Sequence, residues 1–363
     1  MLVLILSFGL STAVCFLVIR YSHTHAHLFA DHDMSGPQKF HARPVPRVGG
    51  IGIFLGVIGA QLLIWLAPFD GAMLGLMVVG CAAPTFFSGL AEDLTKTQSP
   101  RRRLFFTAVS AGLAAWILGA VIDRTDVPGL DWIVSFTAAG VLVTVFAVAG
   151  VANSVNIIDG FNGLAAMCVV MMLAAIAYVA YQAGDATIAM CALAGVGAVM
   201  GFFVWNFPAG LIFLGDGGAY FLGFYVAELS ILLLQRNAVV SPLFPLLMCI
   251  YPIFETVFSM YRRKFIRGRP VGMPDGVHLH SLIYRRMIRW AVGNKSAKML
   301  TRRNSMTAPY LWFLCMLSIV PAVCFWDSSP VLGVFILLFA VTYVFLYSRI
   351  VRFKAPGWMI VRR

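Results

Sequence analysis

The chain is short of charge. Only 12% of its 363 residues are Asp, Glu, Lys or Arg, against about 25% in a soluble domain. That deficit excludes a water-facing surface over most of the molecule. Acidic residues are the scarcer kind: 15 Asp and Glu stand against 27 Lys and Arg, a formal net charge of +12. The seven cysteines all lie inside apolar runs and none shows C-x-x-C spacing. Neither a disulfide framework nor a zinc site is expected from them. No internal repeat, low-complexity tract or extra soluble domain is visible. No basic residue precedes the first apolar run, and Arg20 follows it. A signal peptide has the reverse polarity, so this run is expected to be a retained first helix with its N-terminus outside.

What the chain has instead is hydrocarbon, with 60% of its residues hydrophobic. Apolar runs of about 18 to 22 residues recur along nearly the whole length, as in bilayer-spanning helices. Eleven spans are expected, near 2–19, 49–67, 71–90, 104–122, 133–151, 163–181, 186–205, 218–235, 239–261, 308–326 and 330–350. The fold class implied is all-α: one polytopic membrane-embedded domain over 1–363, its C-terminus cytoplasmic, with long cytoplasmic loops at 20–48 and 262–307. Arg124 and Arg236 fall in external gaps, and the other 25 of the 27 basic residues fall on the inner side, as the positive-inside rule requires. The positive balance therefore belongs to the inner membrane surface and to anionic substrates, not to nucleic acid. LIYRRMIRWAV, within 262–307, is amphipathic enough to lie on the membrane surface.

The polar motifs gather at inner helix ends. They are DHDMSGPQKFHARPVPRVGG (31–50), GLAEDL (89–94) followed by SPRRRL, NSVNIIDGFNG (153–163), WNFPAGLIFLGDGGAYFLG (205–223) and RRKFIRGRPVGMPDGVHLHSLIYRR (262–286). Taken singly, each has a plain structural reading. GLAEDL could cap a helix, Asp216 could be the N-cap of the next helix, and Arg101–Arg103 reads as a topology anchor. Together they place carboxylates, amides, glycines, arginines and histidines on one face. Carboxylates and amides suit a hard cation such as Mg²⁺, which takes oxygen ligands and keeps water and phosphate oxygens. Glycines let backbone approach phosphates, and helix N-termini favour anions. Arg43, Arg47, Arg267, Arg269, His278 and His280 add cationic or donor groups. This is equipment for phosphoryl transfer, with one soluble nucleotide substrate and one phosphate carried in the membrane.

NSVNIIDGFNGLA and FLGDGGAYFLG, in this order and spacing, with PRVGG and HLHS, resemble the polyprenyl-phosphate N-acetylhexosamine-1-phosphate transferases. These membrane enzymes start the assembly of O-antigen and other cell-surface glycans. The resemblance runs from about residue 31 to 286. It implies transfer of HexNAc-1-phosphate from a UDP-sugar to polyprenyl (undecaprenyl) phosphate, with release of UMP. It implies Mg²⁺, with Mn²⁺ as an alternative, at an active site on the cytoplasmic face of the inner (plasma) membrane. By the same resemblance Asp216 is a metal ligand and Asn156 is associated with the metal. Asp159 lies near the sugar or diphosphate, and Asn162 contacts uracil. Phe213 stacks on uracil, with Asn206 in the same pocket. His278 and His280 handle phosphate or sugar, and Asp93, with Glu92, positions or deprotonates the acceptor.

The chain also departs from the family pattern. Glu92 stands where the family usually has Asp, Asn162 where many members have Asp, and PDGVHLHS lacks an Arg and a third His. Arg267 or Arg269 is a candidate substitute for the missing Arg. A homodimer is an open alternative. Two other classes compete, a transporter of an anionic solute and an inactive scaffold of a glycan assembly complex. Glu228 and Glu255, within apolar runs, are expected to be paired inside the bundle or interfacial.

Overall fold

The computed structural model describes residues 1–22, 45–66, 71–268, 276–288, 296–354 and 360–361. Arg43 and Arg269 lie outside them. The described residues are helical, with no strand beyond one isolated bridge between Ile288 and Val361. The helices are α1 (Leu2–Ser22), α2 (Gly49–Leu66), α3 (Ala72–Thr95), α4 (Pro100–Ile117), the short α5 (Leu130–Val134), α6 (Thr137–Ile158), α7 (Leu164–Gln182), α8 (Ala186–Asn206) and α9 (Gly215–Arg236). There follow α10 (Leu243–Met248), α11 (Ile250–Tyr261), the one-turn α12 (Leu279–Leu282), α13 (Ala297–Ser305), α14 (Ala308–Cys324) and α15 (Ser329–Val351). Among the described residues nine helices are long and apolar enough to cross a membrane, α13 and α14 counting as one. The molecule is thus an all-α, multi-pass membrane protein. The two remaining expected spans correspond to α4, whose first turn is basic, and to the α10–α11 pair.

Several helix ends differ from the expectation, each for a local reason. α4 starts at Pro100 because Ser99 caps it, accepting the Arg102 N–H at 3.3 Å, and Pro suits the first helical position. Arg101–Arg103 are therefore helical rather than a loop. α6 runs on to Ile158, so Asn153 and Asn156 sit three residues apart on one helical face. α9 begins at Gly215, which puts Asp216 in its first turn. The expected span 239–261 is broken at Cys249, where Pro252 has no N–H to continue the ladder. LIYRRMIRWAV is described up to Ile288. Over that part Ile283, Tyr284, Met287 and Ile288 are buried against the bundle, not laid on its surface.

Helix α9 is the axis of the bundle, buried from Gly215 to Leu233. Glycines allow its neighbours to approach. A Cβ at Gly89 of α3 would lie 2.6 Å from the Gly217 Cα, and one at Gly50 of α2 would meet the Gly218 backbone. Close backbone approach through small residues is how helices pack without a hydrophobic driving force. Glu228, in the middle of α9, is fully buried, and neither carboxylate oxygen has a hydrogen-bond partner among the described residues. The expected pairing is not there. Glu255 does pair, with His278.

Candidate active site

The N-terminus of α9 is built by three other segments. Pro46–Gly50 runs beside it: the Phe213 N–H donates to the Pro46 carbonyl at 2.9 Å, and the Gly49 and Gly50 N–H groups donate to the Phe213 and Leu214 carbonyls, each at 2.9 Å. PRVGG is thus a docking strip for the FLGDGG turn. From α3, Asp93 reaches across and accepts two main-chain bonds, Asp216 N–H to Oδ1 at 2.8 Å and Gly217 N–H to Oδ2 at 2.9 Å. It satisfies two donors that the helix leaves open and does so from 123 residues away. The residue ahead of the helix, Leu214, offers no side-chain cap. Gly215 is required here twice over, by its φ of 77° and because a Cβ would sit 2.6 Å from Asp93 Oδ2.

Asp216 projects from this turn into a ring of partners. Asn156 Nδ2 of α6 donates to Oδ1 at 3.0 Å, Arg47 stands 3.6 Å from Oδ1, and Arg103 of α4 forms an ion pair with Oδ2. The Arg103 guanidinium also lies 5.6 Å from the centre of the Tyr220 ring, and the Tyr220 hydroxyl donates to Asn153 Oδ1 at 3.3 Å. Arg103 was legible in the sequence only as a topology anchor. The helical turn that starts at Ser99 aims it inward. Asp159 follows α6 directly. Burial pushes its carboxyl up to about 7, with Arg47 working in the opposite direction.

Glu92 does not join this group through its carboxylate. Oε2 accepts the Gln98 N–H at 2.6 Å and closes the turn between α3 and α4. Asn162 and Asn206 brace loops. The Asn162 N–H donates to Asn304 Oδ1 at 2.9 Å, and its side-chain amide donates to Ser305 Oγ at 3.2 Å and the Pro208 carbonyl at 3.4 Å. Asn206 accepts the Gly163 N–H at 2.6 Å and donates to the Ile212 carbonyl at 2.8 Å, beside Phe213. Asn304 and Ser305 belong to α13, and no motif in the sequence marked them.

His278 and His280 are buried and their rings stack, 5.0 Å apart and 9° from parallel. Glu255 Oε1 faces His278 Nδ1 at 3.1 Å and accepts the Leu279 N–H at 2.8 Å. The His280 ring packs edge-on against Phe161, 5.6 Å between centres, and borders Gly160. The histidine turn therefore reaches the Asp159–Asn162 corner. The structure brings together Asp93, Asn156, Asp159, Asp216, Arg47 and Arg103 at one end of the bundle, with Phe213 and the histidines at its sides.

No cluster of three or more His, Cys, Asp or Glu able to hold a metal occurs among the described residues. Asp216 and Asn156 nevertheless offer a carboxylate and an amide side by side, and rotating the Asn156 amide would present its oxygen. Such a small oxygen set fits a cation that keeps waters and substrate phosphates as further ligands.

Residues 75–234, which carry most of this site, match the model of glycosyl transferase family 4. Over that stretch the chain is similar to that family. It is similar to a probable undecaprenyl-phosphate N-acetylglucosaminyl 1-phosphate transferase of Bacillus subtilis, 24% identical over 249 residues and 68% of each chain. It is 29% identical over 263 residues to an undecaprenyl-phosphate alpha-N-acetylglucosaminyl 1-phosphate transferase of Thermotoga maritima, covering 71% of this chain and 74% of that one. A decaprenyl-phosphate N-acetylglucosaminephosphotransferase of Mycobacterium tuberculosis is 28% identical over 271 residues, 66% of this chain and 65% of its own. These similarities support an enzyme of the phosphotransferase kind. Asp93, Asn156, Asp159 and Asp216 all fall within the matched region, whereas Arg47 and the histidine turn lie outside it.

Proposed function

We propose that the chain transfers an N-acetylhexosamine 1-phosphate from a UDP-sugar to polyprenyl phosphate, as the first lipid-linked step of surface-glycan synthesis. The observation that carries this reading is the cationic pair Arg47 and Arg103 converging with Asn156 on Asp216 at a buried helix N-terminus. Such a set attracts and orients phosphates. In the reaction, an oxygen of the acceptor phosphate bonds to the sugar-linked phosphorus. The bond from that phosphorus to the bridging oxygen breaks, and UMP leaves with the electron pair. A phosphate monoester has its second pKa near 6, so the acceptor is largely ionised already and a base contributes little.

Asp216 and Asn156 would hold Mg²⁺. When bound, the ion would offset diphosphate charge and stabilise the leaving UMP. The chain's own part is positioning. Asp93 fixes the turn that aims Asp216, Arg47 faces both Asp159 and Asp216, and Arg103 is placed to receive the acceptor phosphate. The Asp159–Asn162 corner, Phe213 and the histidine turn would enclose the nucleotide sugar.

The membrane-borne substrate has a place to lie. An apolar cavity of about 660 Å³ runs between α4, α6, α9 and the α10–α11 pair. At one end it is lined by Leu104, Asn153 and Ser154, next to Arg103 and the asparagine that holds Tyr220. At the other it reaches Arg124 and Leu130. A long isoprenoid would fit along it with its phosphate toward Arg103. The placement of nearly all basic residues on the site's side supports a cytoplasmic active face in a plasma membrane.

The test is transfer itself. Purified protein is given undecaprenyl phosphate, Mg²⁺ and UDP-HexNAc donors labelled in the sugar. Lipid-extractable label that disappears with EDTA and in Asp216→Asn is the expected result. Protein that binds the donor but transfers from none would leave the scaffold reading. Protein that binds none would return the transporter.

A further inference from the structure

A second apolar cavity is lined in part by the histidine turn. It measures about 700 Å³, within the roughly 300–1,000 Å³ of ligand sites. Its walls are the stretch 279–287, the first half of α14 and the last turns of α15. It shares no lining residue with the cavity assigned above to the acceptor. Its lining is almost wholly hydrocarbon. Arg349 is the one charged residue among the described lining residues, two turns beyond Thr342 along α15. The guanidinium is exposed and sits 5.9 Å from the centre of the Phe345 ring, which lines the same cavity. Arg352 and Lys354 follow, both exposed. After Tyr261 the sequence has only two acidic residues, Asp275 and Asp327. Asp327 lies past the far end of α14, and Asp275 is outside the described residues. The mouth of the cavity is therefore cationic and its depth apolar.

We propose that this cavity is a binding site for an anionic diacyl phospholipid, with an acyl chain in the groove and the headgroup phosphate on Arg349. An apolar slot ending in a basic cluster at headgroup level is the complement of such a lipid. Its inner wall gives the site a consequence. Leu279, which lines the groove, stands between His278 and His280 in the chain. Ile283 and Met287 continue the same wall. A bound chain packs against the back of the turn that carries both histidines and steadies it.

The test reads binding, not transfer, and so is independent of the reaction. The full chain in neutral detergent, stripped of native lipid, is given phosphatidylglycerol or phosphatidylcholine with identical acyl chains, and retained lipid is counted by native mass spectrometry. Phosphatidylglycerol is retained about fivefold more strongly, the effect of one basic residue at a lipid surface. Arg349→Gln abolishes that preference. Thr342→Trp, which fills the groove, lowers retention of both lipids, and Leu317→Trp serves if the first variant does not fold. Hydrogen exchange over 279–287 slows with phosphatidylglycerol in the parent protein and not in Arg349→Gln. Equal retention of the two lipids, or a preference that survives Arg349→Gln, overturns the proposal. Displacement of phosphatidylglycerol by an equimolar amount of undecaprenyl phosphate overturns it as well, because the groove would then belong to the acceptor.

Discussion

Both carboxylate oxygens of Asp93 accept main-chain N–H groups at the start of α9, and this decides what substitution there should do. Asn can accept one of those bonds but turns an N–H toward the other donor. Asp93→Asn is expected to cost about 1 kcal/mol, as lost helix caps do. With Asp216 as the proposed metal ligand, it should also lower activity about 10- to 100-fold, as loss of a group that orients such a ligand does. The pH dependence of the residual activity should keep its shape. A vanished limb in the rate–pH profile would instead make Asp93 the base. Glu92→Gln should retain activity near that of the parent, since a Gln carbonyl can still accept the Gln98 N–H. Arg103 is the contrasting case. Arg103→Gln removes the cation paired with Asp216 and, on the proposed role of Arg103 in receiving the acceptor phosphate, should reduce kcat/KM for the acceptor about a hundredfold, with UDP-sugar binding measured separately and little changed.

At the scale of helices, the contact of α2 with α9 leaves no room for a side chain at Gly50. Gly50→Ala must push the two helices apart. The expected cost is about 1–3 kcal/mol, typical of overpacking, read as a lowered melting temperature in detergent. At the opposite end of the bundle Asp185 caps α8, accepting the Ile188 N–H at 3.1 Å, and pairs with Arg236 at 2.6 Å. Burial works to raise its carboxyl, but hydrogen bonds from Arg236, the Ile188 N–H and Asn237 prevail and hold it below the usual carboxylate range. A depressed carboxyl contributes stability that is present above the unfolded value of about 3.9 and lost as pH falls through the folded one. Asp185→Ala should therefore be less stable by about 1 kcal/mol at neutral pH, and the gap should close in acid. The helices themselves were legible in the sequence, because lipid demands long uninterrupted runs. Their ends were not, because these depend on a cap such as Ser99 or a missing donor such as Pro252. Of the candidate site, Asn156, Asp159 and Asp216 could be found from their motifs. Arg103, Asn304 and Glu255 could not, since each acts across more than twenty residues of sequence on a partner brought near only by packing.

For the molecule as a whole, the two cavities share no lining residue, and on the proposed assignments they divide the lipid-facing work. Leu246→Trp, in the first cavity, should raise KM for a long polyprenyl phosphate while leaving donor binding alone. A short-chain acceptor should be affected less, and equal effects on both acceptors would place the isoprenoid elsewhere. The same architecture bears on how the protein is made. Asp216 takes its orientation from Asp93, 123 residues earlier, and its amide partner from Asn156, 60 residues earlier. During synthesis α3, α4 and α6 emerge before α9 exists. Until the last of these helices has left the ribosome and slid into its slot, the membrane holds only separate pieces of a binding site. On the proposed reading a nascent chain is inert toward its charged substrates at least until its central helix has docked, and the histidine turn that would enclose the nucleotide sugar arrives later still. Nucleotide capture by chains of increasing length is expected to begin only after that docking.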